Sequence, residues 1–170
     1  MKKALLLLAF CLVINAVRAQ DKIIKYAPLV SVGYEKVLND KNSFYVGATI
    51  YPLPTVGITA LGVKGEYRFY GLLNKEKKAP AGFWVAPTAL LWYVRFNDFI
   101  EDDLNAGVGI VQLGGIAGYQ FIIKNKFTIE PCLGIAGGFA LGVGSEDAGI
   151  FGGAVTPVGG LRIGYILGSK

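Results

Sequence analysis

"GVKGEYRFYG", residues 62–71, alternates two unlike sides. Side chains along a strand point to opposite faces in turn, so Lys64, Glu66, Arg68 and Tyr70 share one face and Val63, Gly65, Tyr67 and Phe69 the other. In a soluble sheet the charged side meets water. In a membrane barrel the charged side turns inward and the apolar side faces lipid. The fold depends on which of the two holds.

The rest of the chain narrows the choice. Of its 170 residues 53% are apolar and 17% charged, a composition suited to one packed domain rather than a disordered segment. Lys2 and Lys3 precede the apolar run 4–14, and Val17 and Ala19 flank Arg18 before Gln20. This is the layout of a cleaved secretory signal over residues 1–19, with an apolar run too short for a spanning helix. Cys11 lies inside that run, away from the expected cut, so no lipid-anchored cysteine is expected. Residues 20–170 form the expected mature domain.

Cleavage removes Lys2, Lys3 and Arg18, so 14 basic residues face 12 acidic ones and the net charge falls from +5 to +2. Nucleic-acid binding loses its electrostatic basis. Only Cys132 remains, which excludes an internal disulfide. The chain has no histidine, and with it go most hydrolytic triads, histidine metal sites and imidazole acid–base chemistry. No catalytic residue, cofactor site or metal site is assigned.

Segments rich in Val, Ile, Tyr, Phe and Thr recur between turn signals, which predicts an all-β chain with strands at 29–38, 43–51, 58–70, 83–96, 108–123, 127–141 and 154–167. The last five exceed the ~5–6 residues of an average strand and the ~9–11 that cross a bilayer at a tilt. Short turns, "NDKN" (39–42) and "KNK" (124–126), and the basic connection "NKEKKAPAG" (74–82) alternate with a second set. That second set, "YPLPTVG" (51–57), "FNDFIEDDLN" (96–105) and "GSEDAG" (144–149), is on average longer and more acidic. Outer-membrane barrels alternate short periplasmic turns with longer outer loops in this way. The alternation requires an ascending strand before 29–38. "DKIIKYA" (21–27) supplies it, with Pro28 marking a tight outer connection, for eight strands in all.

The two-sidedness of 62–71 recurs. Phe127, Ile129, Leu133, Ile135, Phe139 and Leu141 oppose Thr128, Glu130, Cys132, Gly134, Ala136 and Gly138, and Leu161, Ile163, Tyr165 and Leu167 oppose Gly160, Arg162 and Gly164. In 108–123 Ile116 and Ile122 break an otherwise similar pattern. The face opposite the large apolar groups is dense in glycine, where the wet face of a soluble sandwich carries Lys, Glu, Thr and Ser. The interior of a narrow eight-stranded barrel needs such small residues mixed with a few large polar ones. Glu35, Glu66 and Glu130 are therefore expected inside with Lys64, Arg68 and Arg162, mutually neutralised where an unpaired charge is costly. Aromatic residues, Tyr67, Phe69, Phe83, Trp84, Trp92, Tyr119, Phe121, Phe127 and Tyr165 among them, lie mostly toward strand ends, which suits bilayer interfaces.

With these residues read, the pieces "VSVGYEKVLNDKNSFYVGATIY", "EYRFY", "APAGFWVAP", "GGIAGYQFIIKNKFTIEPCLGIAGG" and "GGLRIGYIL" resemble the small eight-stranded outer-membrane β-barrel proteins of Gram-negative bacteria, of the OmpA-like, OmpX-like and OmpW-like kind. The resemblance implies an antiparallel up-and-down transmembrane β-barrel, resident as a monomer in the outer membrane, with outer-membrane lipid and the barrel assembly machinery as partners. In that family the closing strand usually ends on an aromatic residue read by that machinery; here Tyr165 is followed by "ILGSK".

Other readings compete at single features. The glycine clusters in 107–118 and 134–144 lack the dinucleotide spacing, and the sequence has no Gly-Lys-Ser/Thr phosphate loop. Asp98, Glu101, Asp102 and Asp103 read as a solvated acidic loop against a calcium site, since their spacing matches no EF-hand. Cys132 reads as a buried small residue. The Glu/Lys/Arg set reads as a structural network filling the lumen against a pore lining or proton relay. The functional expectation is a non-enzymatic structural or interaction barrel. The alternatives are a narrow porin-like channel or small hydrophobic-ligand carrier, and a soluble secreted lipocalin-like barrel with its apolar face turned inward.

Overall fold

The computed structural model describes residues 22–27, 31–53, 58–73, 76–96, 107–143 and 150–167. The expected signal segment, Pro28, and the acidic residues Asp98, Glu101, Asp102 and Asp103 lie outside them.

Eight strands follow one another: β1 (Lys22–Ala27), β2 (Ser31–Asn39), β3 (Asn42–Leu53), β4 (Ile58–Tyr70), β5 (Gly82–Phe96), β6 (Gly107–Ile123), β7 (Phe127–Val143) and β8 (Ile150–Leu167). Each pairs antiparallel with the next, and β8 pairs with β1, so the sheet closes into a barrel. The expected first strand exists and is the element that closes the ring.

Boundaries move outward where backbone pairing outlasts favourable side chains. β8 starts at Ile150 rather than 154, because "IFGG" is held by β7 across an irregularity at Phe139/Ala140. Similarly, β3 runs through Pro52 to Leu53, paired with β4 out to Ile58.

The short connections are built locally. Lys124 and Asn125 both hold positive φ, 51° and 54°, and Lys126 donates its N–H to Ile123 at 3.1 Å. Two positive-φ residues make the hairpin turn whose twist matches that of the strands it joins. At the neighbouring turn the Asn39 side chain accepts from the backbone N–H groups of Lys41 and Asn42, both at 2.9 Å. The basic connection after β4 is tied to this turn, with Ala79 N–H donating to Asp40 at 2.8 Å and Lys78 pairing with the Asp40 carboxylate at 2.7 Å. Ala79 then packs against the interior cluster of Tyr70, Trp84, Ala86, Ile116 and Cys132.

The two faces separate as the alternation requires. Leu113, Leu133 and Ile135 are about two-thirds exposed, whereas Glu35, Arg68 and Glu130 are fully buried. The large apolar groups point out, opposite to the inward apolar face of a lipocalin-type barrel. Outward aromatic residues gather near the short turns as Phe44, Tyr67, Phe69, Phe121, Phe127 and Tyr165; Tyr67 meets Phe69, Phe127 meets Tyr165, and Phe121 meets the half-buried Tyr119 in ring contacts.

Trp84 and Trp92 depart from the expected aromatic belt. Trp84 is fully buried inside, and Trp92 shares the inward face with its cross-strand partner Gly62. The glycine-rich inner face explains how such rings fit. A Cβ on Gly62 would sit 2.4 Å from the Trp92 ring, and one on Gly33 2.2 Å from the Tyr45 hydroxyl, so each ring lies flat over bare backbone. A chain with larger residues at those sites has no room for both walls and rings.

Candidate functional site: a charge cluster inside the barrel

β4 sets Lys64, Glu66 and Arg68 at alternate positions, all pointing in, and the neighbouring strands bring their partners to the same level. Tyr45 of β3 is opposite Glu66, Ser43 opposite Arg68, and Glu130 of β7 opposite Arg162 of β8. The six residues expected to meet in the interior do meet.

Arg68 is the hub. Its Nη1 donates to Glu35 Oε2 at 3.0 Å and Glu130 Oε2 at 2.8 Å; its Nη2 donates to Glu66 Oε2 at 2.7 Å and Glu130 Oε1 at 3.1 Å. Nε adds a bond to Glu66 Oε2 at 3.1 Å. Only a planar guanidinium can address three carboxylates this way. Arg162 binds Glu66 through Nη2 at 2.7 Å and Glu130 through Nη1 at 2.9 Å. Glu35 also accepts from Ser43 Oγ at 2.5 Å and the Tyr70 hydroxyl at 2.7 Å. The ring of Trp84 lies 4.2 Å from the Arg68 guanidinium carbon, and that of Tyr45 lies 4.6 Å from the guanidinium carbons of both arginines. Cations over aromatic faces gain attraction that burial strengthens.

Sequence reasoning missed Lys25. Its Nζ pairs with Glu35 at 2.5 Å and with Glu130, and donates to Gln120 at 2.6 Å, and its side chain is buried. The alternation of "KIIKYA" was the available signal, since Lys25 shares a face with the buried Ile23. Lys64 holds a different position from the other five expected residues. Among the described residues its one ion pair is with Glu66 at 3.2 Å, and its side chain keeps 22% exposure while every other member is buried.

Among the described residues the interior carries four cations, Lys25, Lys64, Arg68 and Arg162, and three carboxylates, Glu35, Glu66 and Glu130. One positive charge is in excess. Cys132 is buried, and its thiol approaches the Gly160 carbonyl at 3.4 Å. No group of His, Cys, Asp or Glu among the described residues has the arrangement to hold a metal ion.

Compared with family models, curated proteins and solved structures, the chain matches none. Its function is therefore argued from its own geometry.

Above the charge cluster, toward the ends of the strands away from the short turns, the interior widens into a cavity of about 360 Å³. Lys64 and Arg162 line its floor, and Ser31, Thr49, Leu90, Trp92 and Val158 are among its walls. The barrel thus has a blocked half and a hollow half.

Proposed function

We propose that the chain is an outer-membrane β-barrel with a structural or interaction role, exported by a signal over residues 1–19 and inserted as a monomer with the help of the barrel assembly machinery. The observation that carries this is the inversion of the two faces, with apolar residues exposed outside and a cluster of ion-paired side chains inside. Water gives no reason for such an exterior, whereas lipid does. Strand length supports the same reading. A strand of 15 residues such as β5 is about 50 Å long and, at a tilt of ~40°, about 38 Å tall. That exceeds the ~25 Å lipid-facing band of such barrels.

Cell fractionation tests the proposal. The expected result is recovery in the outer membrane, extracted only by detergent and with heat-sensitive gel mobility. Native protein in the periplasm without detergent would overturn it.

The sealed cluster argues against a through-channel. In planar bilayers the protein is expected to give no steady ion current at any moderate voltage. A stable conductance would show that the cluster opens and would favour the channel reading.

A further inference from the structure

A second hollow lies on the outside of the barrel, at the short-turn end. It is a groove of about 440 Å³ between the basic connection after β4 and the β6–β7 hairpin, lined by Phe121, Ile123 and Ile129 together with Lys77 and Tyr119. Phe121 and Ile123 belong to the exposed outward face. A smaller hollow of about 80 Å³, lined by Leu73 and Phe83, shares Lys77 and Tyr119 with the groove, so these two side chains stand between the two hollows.

Lys77 is held in place there. Gly82 has φ of 96°, and a Cβ on it would come 2.9 Å from Lys77 Cδ, so the lysine stem lies against bare backbone. The ammonium is 5.1 Å from the centre of the Tyr119 ring and donates to the Tyr119 hydroxyl at 2.5 Å. An exposed lysine laid along the wall with its charged head at the edge of an apolar surface has the placement that an interface favours. An ammonium has three N–H groups, and a phenol that accepts from one of them still carries a proton of its own to donate. Lys77 and Tyr119 thus converge as donors on one point above an apolar groove.

The surroundings carry the same sign. Lys124 and Lys126 occupy the turn that follows Ile123. The described residues of 40–41, 71–81 and 124–126 hold five lysines, Lys41, Lys77, Lys78, Lys124 and Lys126, against Asp40 and Glu76, and Asp40 is paired with Lys78.

We propose that this groove binds an anionic two-chain phospholipid of the leaflet at the short-turn end. Its phosphate rests on the Lys77 ammonium and the Tyr119 hydroxyl, with one acyl chain along Phe121, Ile123 and Ile129 and the other toward Leu73 and Phe83. A headgroup with net negative charge complements the lysine excess, whereas a zwitterionic one brings a cation of its own against it. The aromatic residues near the short turns set this level of the barrel where headgroups lie. The proposal rests on the outer-membrane reading above.

The test uses the full chain, purified from membranes in detergent and folded as judged by heat-sensitive gel mobility. Native mass spectrometry follows its binding of dioleoylphosphatidylglycerol and, at equal concentration, of dioleoylphosphatidylcholine. Phosphatidylglycerol is expected to saturate as a single adduct, with about tenfold higher affinity than phosphatidylcholine. Lys77→Gln is expected to weaken phosphatidylglycerol binding about tenfold, Tyr119→Phe to weaken it less, and Lys41→Gln, in a different turn, to leave it unchanged. Equal affinity for the two lipids would overturn the site. Equal losses in Lys77→Gln and Lys41→Gln would overturn it as well, by showing a diffuse attraction to the whole basic end. Displacement of the lipid by glycerol phosphate at matching concentration would show a site for free phosphate alone and would also overturn it. The comparison of the two lipids on the unmodified protein decides the matter even if a variant does not fold. Recovery of the native chain without detergent overturns the membrane reading instead, so the two failures are distinguishable.

Discussion

Replacing Arg68 with alanine is expected to lower the stability of the folded barrel by about 3–5 kcal/mol, read from urea unfolding in lipid vesicles by tryptophan fluorescence. Arg68 is buried and binds Glu35, Glu66 and Glu130 at once. Its removal leaves three buried carboxylates to share Lys25, Lys64 and Arg162, and Glu35 loses its guanidinium partner and keeps Lys25. The cost is that of stranding buried acids rather than of losing one favourable contact. The double variant Arg68→Met, Glu130→Gln removes a carboxylate together with the cation. It is expected to recover a substantial part of the loss, because a network relieved of both charges is less frustrated than one relieved of one. A loss under about 1 kcal/mol for Arg68→Ala, within the range of an exposed pair, would show that the cluster does not brace the barrel.

The second large effect is on the outside. Ile135 is at the middle of β7, faces outward and is 65% exposed. In a water-soluble protein an exposed Ile→Arg change stays within roughly ±0.5 kcal/mol. At the midplane of a bilayer the same change costs about 2–4 kcal/mol. Ile135→Arg is therefore expected to lower stability in vesicles by that larger amount, with a smaller loss for Phe127→Arg, beside the turn where the interface is near. Equal, small effects at both positions would speak against a lipid-facing surface. The interior and exterior experiments are independent, since the first depends on the ionic cluster and the second on the surrounding medium.

The side that each strand turns inward was legible wherever side chains alternated in size or charge. "GVKGEYRFYG" has one arrangement that buries four polar groups among partners, and the structure has it. Strand pairing was legible from turns, because connections of two or three residues leave no choice but an antiparallel neighbour. What stayed hidden was less periodic. Lys25 lies in a strand of six residues, whose brief alternation marks a face but names no partner, and Gln120 and Glu130 are on strands far along the chain. Trp84 has the size and sequence position of an interface residue. Its place inside depends on Gly118 leaving its backbone bare across the next strand, where a Cβ would lie 2.6 Å from the indole. Such fits between a large group and a missing one are properties of a pair of strands, and neither strand displays them alone.

Ring closure by β1 and β8 also bears on the order of events in folding. Lys25 reaches Glu130 across 105 residues of chain, and Arg162 reaches Glu66 across 96. Both cations arrive on the two strands that meet last in sequence, whereas Glu66 and Arg68 are close neighbours from the start. Among the described residues, a partly assembled sheet holding β2 to β7 therefore carries three inward carboxylates with only Lys64 and Arg68 to meet them. Docking of β8 on β1 brings Lys25 and Arg162 to these carboxylates in the same step that satisfies the open backbone edges. Completion of the ionic cluster and closure are thus a single late event, and contacts of such long range make that event slow. A nascent chain shortened before Arg162 lacks both the hydrogen-bonding edge and a counter-charge, so incomplete chains have two independent reasons not to persist as barrels.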